Sequence, residues 1–551
     1  MPADSPTIVF RARAIHTLNP IQPLATHVAV RDGRIVGVGD AAALAAWGPC
    51  DLDTRFDDAV LLPGFVEGHS HTSEGAFWQS VYCGYFERTD PDGRRWPGVR
   101  DSAALVERLR QAQATLDDPE APLSGWALDP IYYPGGEPPV TRALLDQVSD
   151  TRPIGLMHAS GHILSLNTPA LRLAGLLREG IEHPGIALGT DGLPTGELKG
   201  PETMTPAGRF VGFDRERQAA DAGALRAFGR VCVRAGVTTA TDLANLLPDE
   251  AVRMMLAVTA QEDFPARVVS FRRFHAQTPA QLIARVRELA PLSTDKLRLG
   301  GAKLFADGSI QGFSARLRWP GYHNGAPNGL WYVNPDHLRE ALVLALRHGV
   351  PVQIHTNGDE AVDMVLDTMQ QALREQPGAD HRFTLQHAQL ADAGQFRRMR
   401  ALGLCVNLFP NHLYYWGEQH AAMTVGPDRA ARMNACASAL AEGVPMAMHS
   451  DAPVTPMAPL FTAWCAVNRL DAHGRVMGAG ERISVPQALR AITLGAAYTL
   501  HMDHEVGSIE CGKRADFAVL LDDPTTIAPE RLRETRVWGT VLGGRAFAAG
   551  A

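Results

Sequence analysis

Short apolar runs alternate with helix-spaced segments through the middle of the chain. Each run is bounded by turn-forming residues and has the length of a buried strand, and the segments between the runs carry apolar residues three and four positions apart, as one face of a helix does. The runs lie at 61–67, 236–242, 266–271, 299–305, 350–354, 382–386, 403–408 and 444–448. Helical spacing is clearest at 219–235, 279–290, 335–348, 359–375 and 391–402. Eight strand-then-helix repeats predict an α/β protein with a TIM-type (β/α)8 barrel, whose active site forms at the carboxyl ends of the strands.

Both ends of the chain have the shorter alternating pattern of antiparallel strands. Near the start, 27–31 and 34–38 flank an Asp32-Gly33 turn, which is typical of a hairpin. Similar segments return at 515–521 and 537–542. We therefore expect residues 1–61 and 504–551 to meet in one small β-sandwich, with the barrel at 62–503 between them.

One long segment does not fit the barrel repeat. About 80–208, after the first predicted strand, carries Pro/Gly-rich, aromatic and helical pieces. It is too long for an ordinary connecting loop. The pattern predicts an inserted subdomain over the mouth of the barrel.

Polar side chains stand at the ends of five predicted strands. They are His69 and His71 after the first strand, Lys303 on the fourth, His355 on the fifth, His387 on the sixth and Asp451 after the eighth. A single histidine in such a place is more often a structural hydrogen-bonding residue, but these six would converge on one rim of the barrel. Imidazole nitrogens and carboxylate oxygens suit zinc, so the set predicts one or two divalent ions per chain.

Composition limits the classes of partner that we expect for the protein, and the N-terminal sequence indicates its cellular compartment. The chain has 551 residues, 45% of them hydrophobic, and a net charge of −8. An acidic balance without a basic module disfavours nucleic acid, and no apolar run is long enough to span a membrane, so a small-molecule substrate is expected. The first residues lack a signal-peptide pattern, which favours a cytoplasmic protein. The seven scattered cysteines predict free thiols, and a homodimer is the commonest closed assembly for such a protein.

The strand-end motifs resemble the amidohydrolase superfamily. They are PGFVEGHSH at 63–71, IHTNGD at 354–359, LQHAQ at 385–389 and HSDAP at 449–453. SGHILSLNTPAL at 160–171, DGLPTGEL at 191–198 and KLFADGSIQG at 303–312 are similar to the branch called amidohydrolase family 3, which includes N-substituted formamide deformylases. The resemblance spans essentially the whole chain.

The resemblance implies a set of roles for the strand-end residues. His69, His71 and Asp451 would hold one metal ion, and His355 and His387 a second. Lys303 would bridge the two ions as a carbamate if it is carboxylated. An uncarboxylated Lys303 could instead pair with Asp307 or line the barrel, which would leave a one-metal site.

The expected chemistry is hydrolysis of a non-peptide C–N bond by metal-activated hydroxide. Zinc lowers the pKa of a bound water from about 15.7 to about 7. Asp451 is the candidate general base and then acid to the departing amine, while His387 or His355 could assist the oxyanion. Ester hydrolysis, decarboxylation, hydration, or a binding role without catalysis are the alternatives on the same fold.

Aromatic residues around the predicted mouth favour a hydrophobic or aromatic N-substituted amide. The candidate substrate contacts are Trp78, Trp319, Tyr414 and Trp416, together with His162 and Asn167 of the SGHILSLNTPAL motif. Packing of the insertion is the alternative role for the aromatic rings, and a structural role the alternative for His162 and Asn167. Glu67 and Asn357 depart from the residues usual in the family, and we expect Glu67 to alter a contact that supports the metal histidines.

Overall fold

A parallel β-barrel forms the centre of the molecule. The computed structural model describes residues 6–44, 50–118, 120–133, 140–275 and 277–550. Eight strands are hydrogen-bonded side by side in chain order, and a bridge between Ser70 and Ala452 links the last strand to the first. The barrel strands are Phe65–Glu67, Val237–Asn245, Arg267–Arg273, Leu297–Phe305, Val352–Thr356, Thr384–His387, Cys405–Leu408 and Met446–Met448. The predicted TIM-type barrel is confirmed.

Amphipathic helices cover the barrel. In Asp359–Glu375 the buried residues Val362, Val365, Leu366 and Met369 have helical spacing, so one apolar stripe faces the strands. The helices of this part are Ala222–Ala235, Asp249–Thr259, Pro279–Leu289, Pro335–His348, Asp359–Glu375, Ala393–Ala401, Asn411–Gln419, Pro427–Ala430, Cys436–Ala441, Pro459–Asn468, Val485–Arg490 and Ala496–Thr499. The rows of side chains between strands and helices form the largest hydrophobic core.

The predicted first strand at 61–67 is two strands, which is a correction. Leu61 and Leu62 end the long strand Asp51–Pro63, which belongs to the sheet of the chain ends, and the barrel strand begins only at Phe65. Gly64 lies between them in close contact with Thr238, because a Cβ at this position would lie 2.0 Å from the Thr238 hydroxyl. At position 64, where the chain passes from one sheet to the other, there is room for glycine but not for a residue with a side chain.

Both chain ends contribute to one seven-stranded sheet. Its strands, in spatial order, are Arg545–Ala548, Val537–Leu542, Phe517–Leu520, Asp51–Pro63, Ile8–His16, Leu24–Arg31 and Arg34–Gly39. The sheet has its own core, in which the Phe10 ring lies 5.9 Å from Phe56 and 6.2 Å from Phe517. A short helix, Ala41–Leu44, follows the last of these strands.

An insertion lies between the first two barrel strands. Its six-stranded sheet contains Ile186–Leu188, Pro194–Lys199, Ile163–Leu166, Ile154–His158, Leu123–Leu128 and Val81–Tyr82, and Arg88–Thr89 pairs with Arg95–Trp96. Its helices are Ser73–Phe77, Ser102–Gln113, Arg142–Asp146, Thr168–Leu173, Pro201–Gly208 and Arg215–Ala219. Two separate apolar cores hold this region together.

Among the described residues, no helix combines the length and the apolar character that crossing a bilayer requires. All seven cysteines are free, as predicted, and only Cys50 and Cys511 are exposed.

Candidate active site

Three of the predicted metal ligands meet where the first and last barrel strands join. Asp451 Oδ1 lies 3.2 Å from His71 Nε2 and 3.4 Å from His69 Nε2. Asp451 has a positive φ of 53°, a conformation that non-glycine residues rarely adopt and that is often found at functional sites. Burial would raise the pKa of the Asp451 carboxyl, but His69 and His71 outweigh it and hold that pKa well below its usual range. One ionised carboxylate therefore faces two imidazoles.

His355 and His387 form a second group beside the first. Their rings approach to 3.1 Å, between His387 Nε2 and His355 Nδ1, and His387 Nδ1 lies 3.8 Å from Asp451 Oδ2. The other ring nitrogen of His355 is 3.2 Å from the carbonyl oxygen of Gly308. A proton donated there leaves Nδ1 free to bind a metal, which is how backbone carbonyls commonly orient metal-binding histidines.

Lys303 is buried near these groups, and its Nζ lies 5.3 Å from the centre of the Phe305 ring. The Lys303 side chain is 0% exposed, and in the described part of the chain Nζ has no hydrogen bond. Burial lowers the pKa of Lys303 to about 7, although Asp451 acts in the opposite direction. Asp307 does not pair with it, because the Asp307 carboxylate accepts the backbone N–H groups of Asn357, Gly358 and Arg316. Of the alternatives for an uncarboxylated Lys303, the ion pair with Asp307 is not formed.

Buried polar residues fix the orientation of the ligand histidines. Gln386 Oε1 lies 2.7 Å from His69 Nδ1. The Glu67 carboxyl accepts hydrogen bonds from Ser450 N at 3.0 Å and Ser450 Oγ at 2.9 Å, next to Asp451 in the chain. Burial raises the pKa of Glu67 to about 8. Through these two hydrogen bonds, the Glu67 side chain supports the loop that carries Asp451.

A chain of hydrogen bonds leads away from His355 through the protein interior. Asn357 Nδ2 donates at 2.8 Å to the Gly308 carbonyl oxygen that His355 Nε2 also contacts, and Asn357 Oδ1 accepts a hydrogen bond from Gln389 at 2.7 Å. Gln389 in turn contacts His412 at 3.1 Å, and His412 contacts His420 at 3.1 Å. All of these side chains are buried. Asn357, the second departure from the family pattern, is therefore part of the support of His355.

The donor set fits a metal ion. Burial is the largest cause of pKa values well below the usual range at His69, His355 and His387, so their imidazoles are neutral, as metal ligands must be. His387 Nδ1 and Lys303 Nζ are buried without hydrogen bonds among the described residues. Such atoms are costly unless a ligand satisfies them. Nitrogen and carboxylate donors together favour zinc.

A cavity of about 280 Å³ opens at this cluster. His69, His71, His355, His387 and Asp451 line one side of it. The insertion forms another wall of the cavity, in which Phe77, Trp126, Met157, Met204 and Phe213 lie beside polar residues such as His158 and Glu202. The insertion therefore lies over the barrel mouth and shapes the space above the cluster.

Only one of the six predicted substrate contacts lines this cavity. His162 does, and its ring lies 5.2 Å from that of His355. Asn167 is fully buried elsewhere, because its side chain caps the helix Thr168–Leu173 and bonds the backbone of Ile154 and Arg152. Trp319 is 95% exposed.

The other three aromatic residues pack within the protein. Trp78 packs edge-on against Trp126. Trp126 lines the cavity, and Trp78 does not. Tyr414 packs on Phe461 and Trp464, and Trp416 donates a 2.7 Å hydrogen bond to buried Asp129. In the structure these three rings pack against other side chains and do not line the cavity.

Sequence reasoning overlooked several polar residues of the site. His449 belongs to the HSDAP motif and is buried against His69, with ring centroids 4.7 Å apart. His158, Arg273 and His275 line the cavity. His449 and Asp451 repeat the His-x-His spacing seen after the first strand, and this signal could have drawn attention to His449.

Several known proteins are similar to this chain in sequence or in fold. Protein LONG AFTER FAR-RED 3 of Arabidopsis thaliana is 28% identical over 525 residues, which cover 92% of this chain and 85% of that protein. N-substituted formamide deformylase of Arthrobacter pascens is 25% identical over 543 residues and 96% of each chain. The crystal structure of a metal-dependent hydrolase from Pyrococcus horikoshii superposes with a TM-score of 0.70 over 95% of this chain and 99% of that one, at 18% identity.

The family model described as amidohydrolase family matches residues 57–548, which include the barrel, the insertion and, of the terminal sheet, the end of Asp51–Pro63 and the three C-terminal strands. The chain belongs to the amidohydrolase family and is a metal-dependent hydrolase that acts on C–N bonds.

Proposed function

We propose that this hydrolase cleaves the amide bond of a small, hydrophobic or aromatic N-substituted amide. The observation that carries the proposal is the cavity, in which the His and Asp cluster lies together with aromatic and methionine side chains. Its volume of about 280 Å³ is near the lower end of small-molecule sites, at roughly 300 Å³. An N-benzyl or N-aryl formamide is of this size and character, and formamide hydrolysis is the activity named for the Arthrobacter pascens relative.

The residues that would hold the metal are those of the cluster. His69, His71 and Asp451 offer three donors whose ligand atoms lie within 4.8 Å of one another. His355 and His387 offer a second position, which a carbamate on Lys303 would complete. When bound, a divalent ion of this kind acidifies water and polarises a carbonyl group.

Asp451 carries the proton transfers in this proposal. Its carboxylate accepts a proton from the attacking water at an Oδ atom and returns it to the nitrogen that leaves. His71 and His69 hold this carboxylate at 3.2 and 3.4 Å, and the positive φ aims it into the cavity. The apolar side chains of the cavity orient the N-substituent and exclude bulk water from the reacting amide.

The test is turnover of a panel of N-benzyl and N-aryl formamides, acetamides and matching esters, with products identified. We expect an amine and an acid to be released, and Asp451→Asn to lower kcat by about 10²- to 10⁴-fold, the usual contribution of a positioned acid–base group. Asp129→Asn is the matched control, because Asp129 is also a buried carboxylic acid but does not line the cavity. It should retain wild-type kcat.

Two results would refute the proposal. Faster turnover of the esters than of the amides would assign the site to ester hydrolysis. Zinc-loaded protein that hydrolyses no member of the panel would exclude this substrate class.

A further inference from the structure

The imidazole ring of His449 is buried and makes no hydrogen bond to any described residue. The residue follows the last barrel strand, is 1% exposed, and neither of its ring nitrogens has a hydrogen-bond partner among the described residues. An unsatisfied buried polar atom costs about 1–3 kcal/mol. Packing alone therefore does not explain why a histidine, with its two polar nitrogens, occupies this buried position.

Packing explains the ring of His449 but not its nitrogens. The ring is stacked between His69 and Phe409, with centroids 4.7 and 4.6 Å away. An apolar aromatic ring would make the same two stacks without two unsatisfied polar atoms. The nitrogens are the property that distinguishes histidine here.

The nitrogens of His449 belong to a group of three imidazoles. Ligand atoms of His69, His387 and His449 all lie within 4.8 Å of one another. His387 presents Nδ1 to this group, and that atom likewise has no partner among the described residues. Asp451 approaches two members of the group, with Oδ2 3.8 Å from His387 Nδ1 and Oδ1 3.4 Å from His69 Nε2, but it belongs to the separate trio of His69, His71 and Asp451.

We propose that His449 is a further metal ligand, which binds an ion together with His69 and His387. The inference deepens the proposed function, on whose metal site it rests, by adding a donor outside the set that the family resemblance implies. Buried nitrogen donors of this kind suit zinc or cobalt. A centre of three imidazoles does not depend on carboxylation of Lys303.

The decisive variant is His449→Phe, which keeps the stacks with His69 and Phe409 and removes both nitrogens. Metal-free wild type and variant are titrated with zinc in competition with a chromophoric chelator, and metal per chain is measured by plasma emission. The visible spectrum of the cobalt-substituted proteins reports the ligand set directly. We expect zinc to bind at least about tenfold more weakly to the variant, since even residues that only support a ligand change metal affinity 10- to 100-fold, and the cobalt bands to shift.

Matched variants separate ligation from packing and from folding. His158→Phe changes another buried, cavity-lining histidine, which is hydrogen-bonded to Ser165 at 2.9 Å, and should bind zinc as wild type does. If His449→Phe does not fold by near-ultraviolet circular dichroism, His449→Leu is measured in its place with the same expectation.

Wild-type zinc affinity together with an unchanged cobalt spectrum in the folded His449 variant would overturn the inference. Because these measurements need no turnover, they are independent of the substrate. Wild type that binds zinc through His449 but cleaves no amide would refute the proposed function alone.

Discussion

At the scale of single residues, burial decides which ionisable groups are charged. It raises the pKa of Asp129 and Asp307 to about 7 and that of Glu67 to about 8, and lowers that of Lys303 to about 7. Each group therefore changes its protonation close to neutral pH in the folded protein, far from where it does so in the unfolded chain. The stability of the protein must consequently depend on pH near neutrality.

Asp129 allows this dependence to be measured away from the metal cluster. Its pKa is raised by burial, against the hydrogen bonds of Trp416 and Ile131. The folded state thus keeps a proton that the unfolded state loses above about pH 4, so the stabilising contribution is complete below that pH and is lost as the pH rises through about 7. Asn cannot ionise and still offers Trp416 an acceptor.

We therefore expect Asp129→Asn to exceed wild type in free energy of unfolding at pH 8, by up to about 4 kcal/mol, and to differ little at pH 4. Urea denaturation at both pH values measures this difference. An equal difference at both would show that ionisation of Asp129 is not its cause.

At the scale of elements, the junction between terminal sheet and barrel depends on one glycine. A Cβ on Gly64 would lie 2.0 Å from Oγ1 and 2.5 Å from Cγ2 of Thr238, the second residue of the neighbouring barrel strand. Gly64→Ala should lower the free energy of unfolding by about 1–3 kcal/mol, because the strands must move apart.

Gly480→Ala is the control for this substitution, since nothing lies within 4 Å of its added Cβ. It should change stability by less than about 0.5 kcal/mol. Thermal or urea unfolding of the two variants makes the comparison. Equal stability of Gly64→Ala and wild type would mean that the junction adjusts without strain.

The sequence predicts elements well where local spacing determines them. The helices Pro335–His348 and Asp359–Glu375 have the predicted bounds, because their apolar stripes and their start and stop signals lie within the segment itself. The division of 61–67 at Gly64 could not be seen in the same way. It depends on contact with Thr238, which is distant in the chain.

The same distinction applies to the site. Strand ends could be located from sequence, and the structure brings together the histidines and Asp451 that were picked from them. Trp319 and Asn167 lie in segments whose burial is set by tertiary packing, so neither the exposure of the first nor the capping role of the second could be predicted. The spacing of His449 and Asp451 is visible in the sequence, but the burial of His449 against His69 depends on packing between distant strands and could not be predicted.

At the scale of the whole molecule, a buried ion pair ties the terminal sheet to the barrel. Arg267, on the third barrel strand, donates from Nε to Asp516 Oδ2 at 2.7 Å, and both side chains are at most 4% exposed. Asp516 directly precedes the sheet strand Phe517–Leu520. Arg267 also pairs with Asp295 at 2.8 Å, so removing Asp516 leaves Arg267 with that partner alone, whereas removing Arg267 leaves the buried Asp516 carboxylate without an ion pair. Loss of one partner of a buried pair typically costs about 3–5 kcal/mol.

We expect Arg267→Met and Asp516→Leu each to lower the free energy of unfolding by about 3–5 kcal/mol, and the double variant to lose less than the sum. The exposed pair Arg531–Glu534 is the control, and Arg531→Ala should leave the free energy of unfolding close to that of wild type, because exposed ion pairs contribute little. A urea double-mutant cycle measures the coupling. Additive losses would show that the two side chains do not act as a pair.

The shared terminal sheet also sets an order of events during synthesis. Val60 pairs with Leu520 and Pro63 with Phe517, so the strand Asp51–Pro63 leaves the ribosome long before its antiparallel neighbour exists. At about 5–20 residues per second, the intervening chain takes tens of seconds to make. During this time one edge of the nascent strand has no partner, and unpaired edges attract other chains. Nascent chains of this protein should therefore engage chaperones until the last strands emerge.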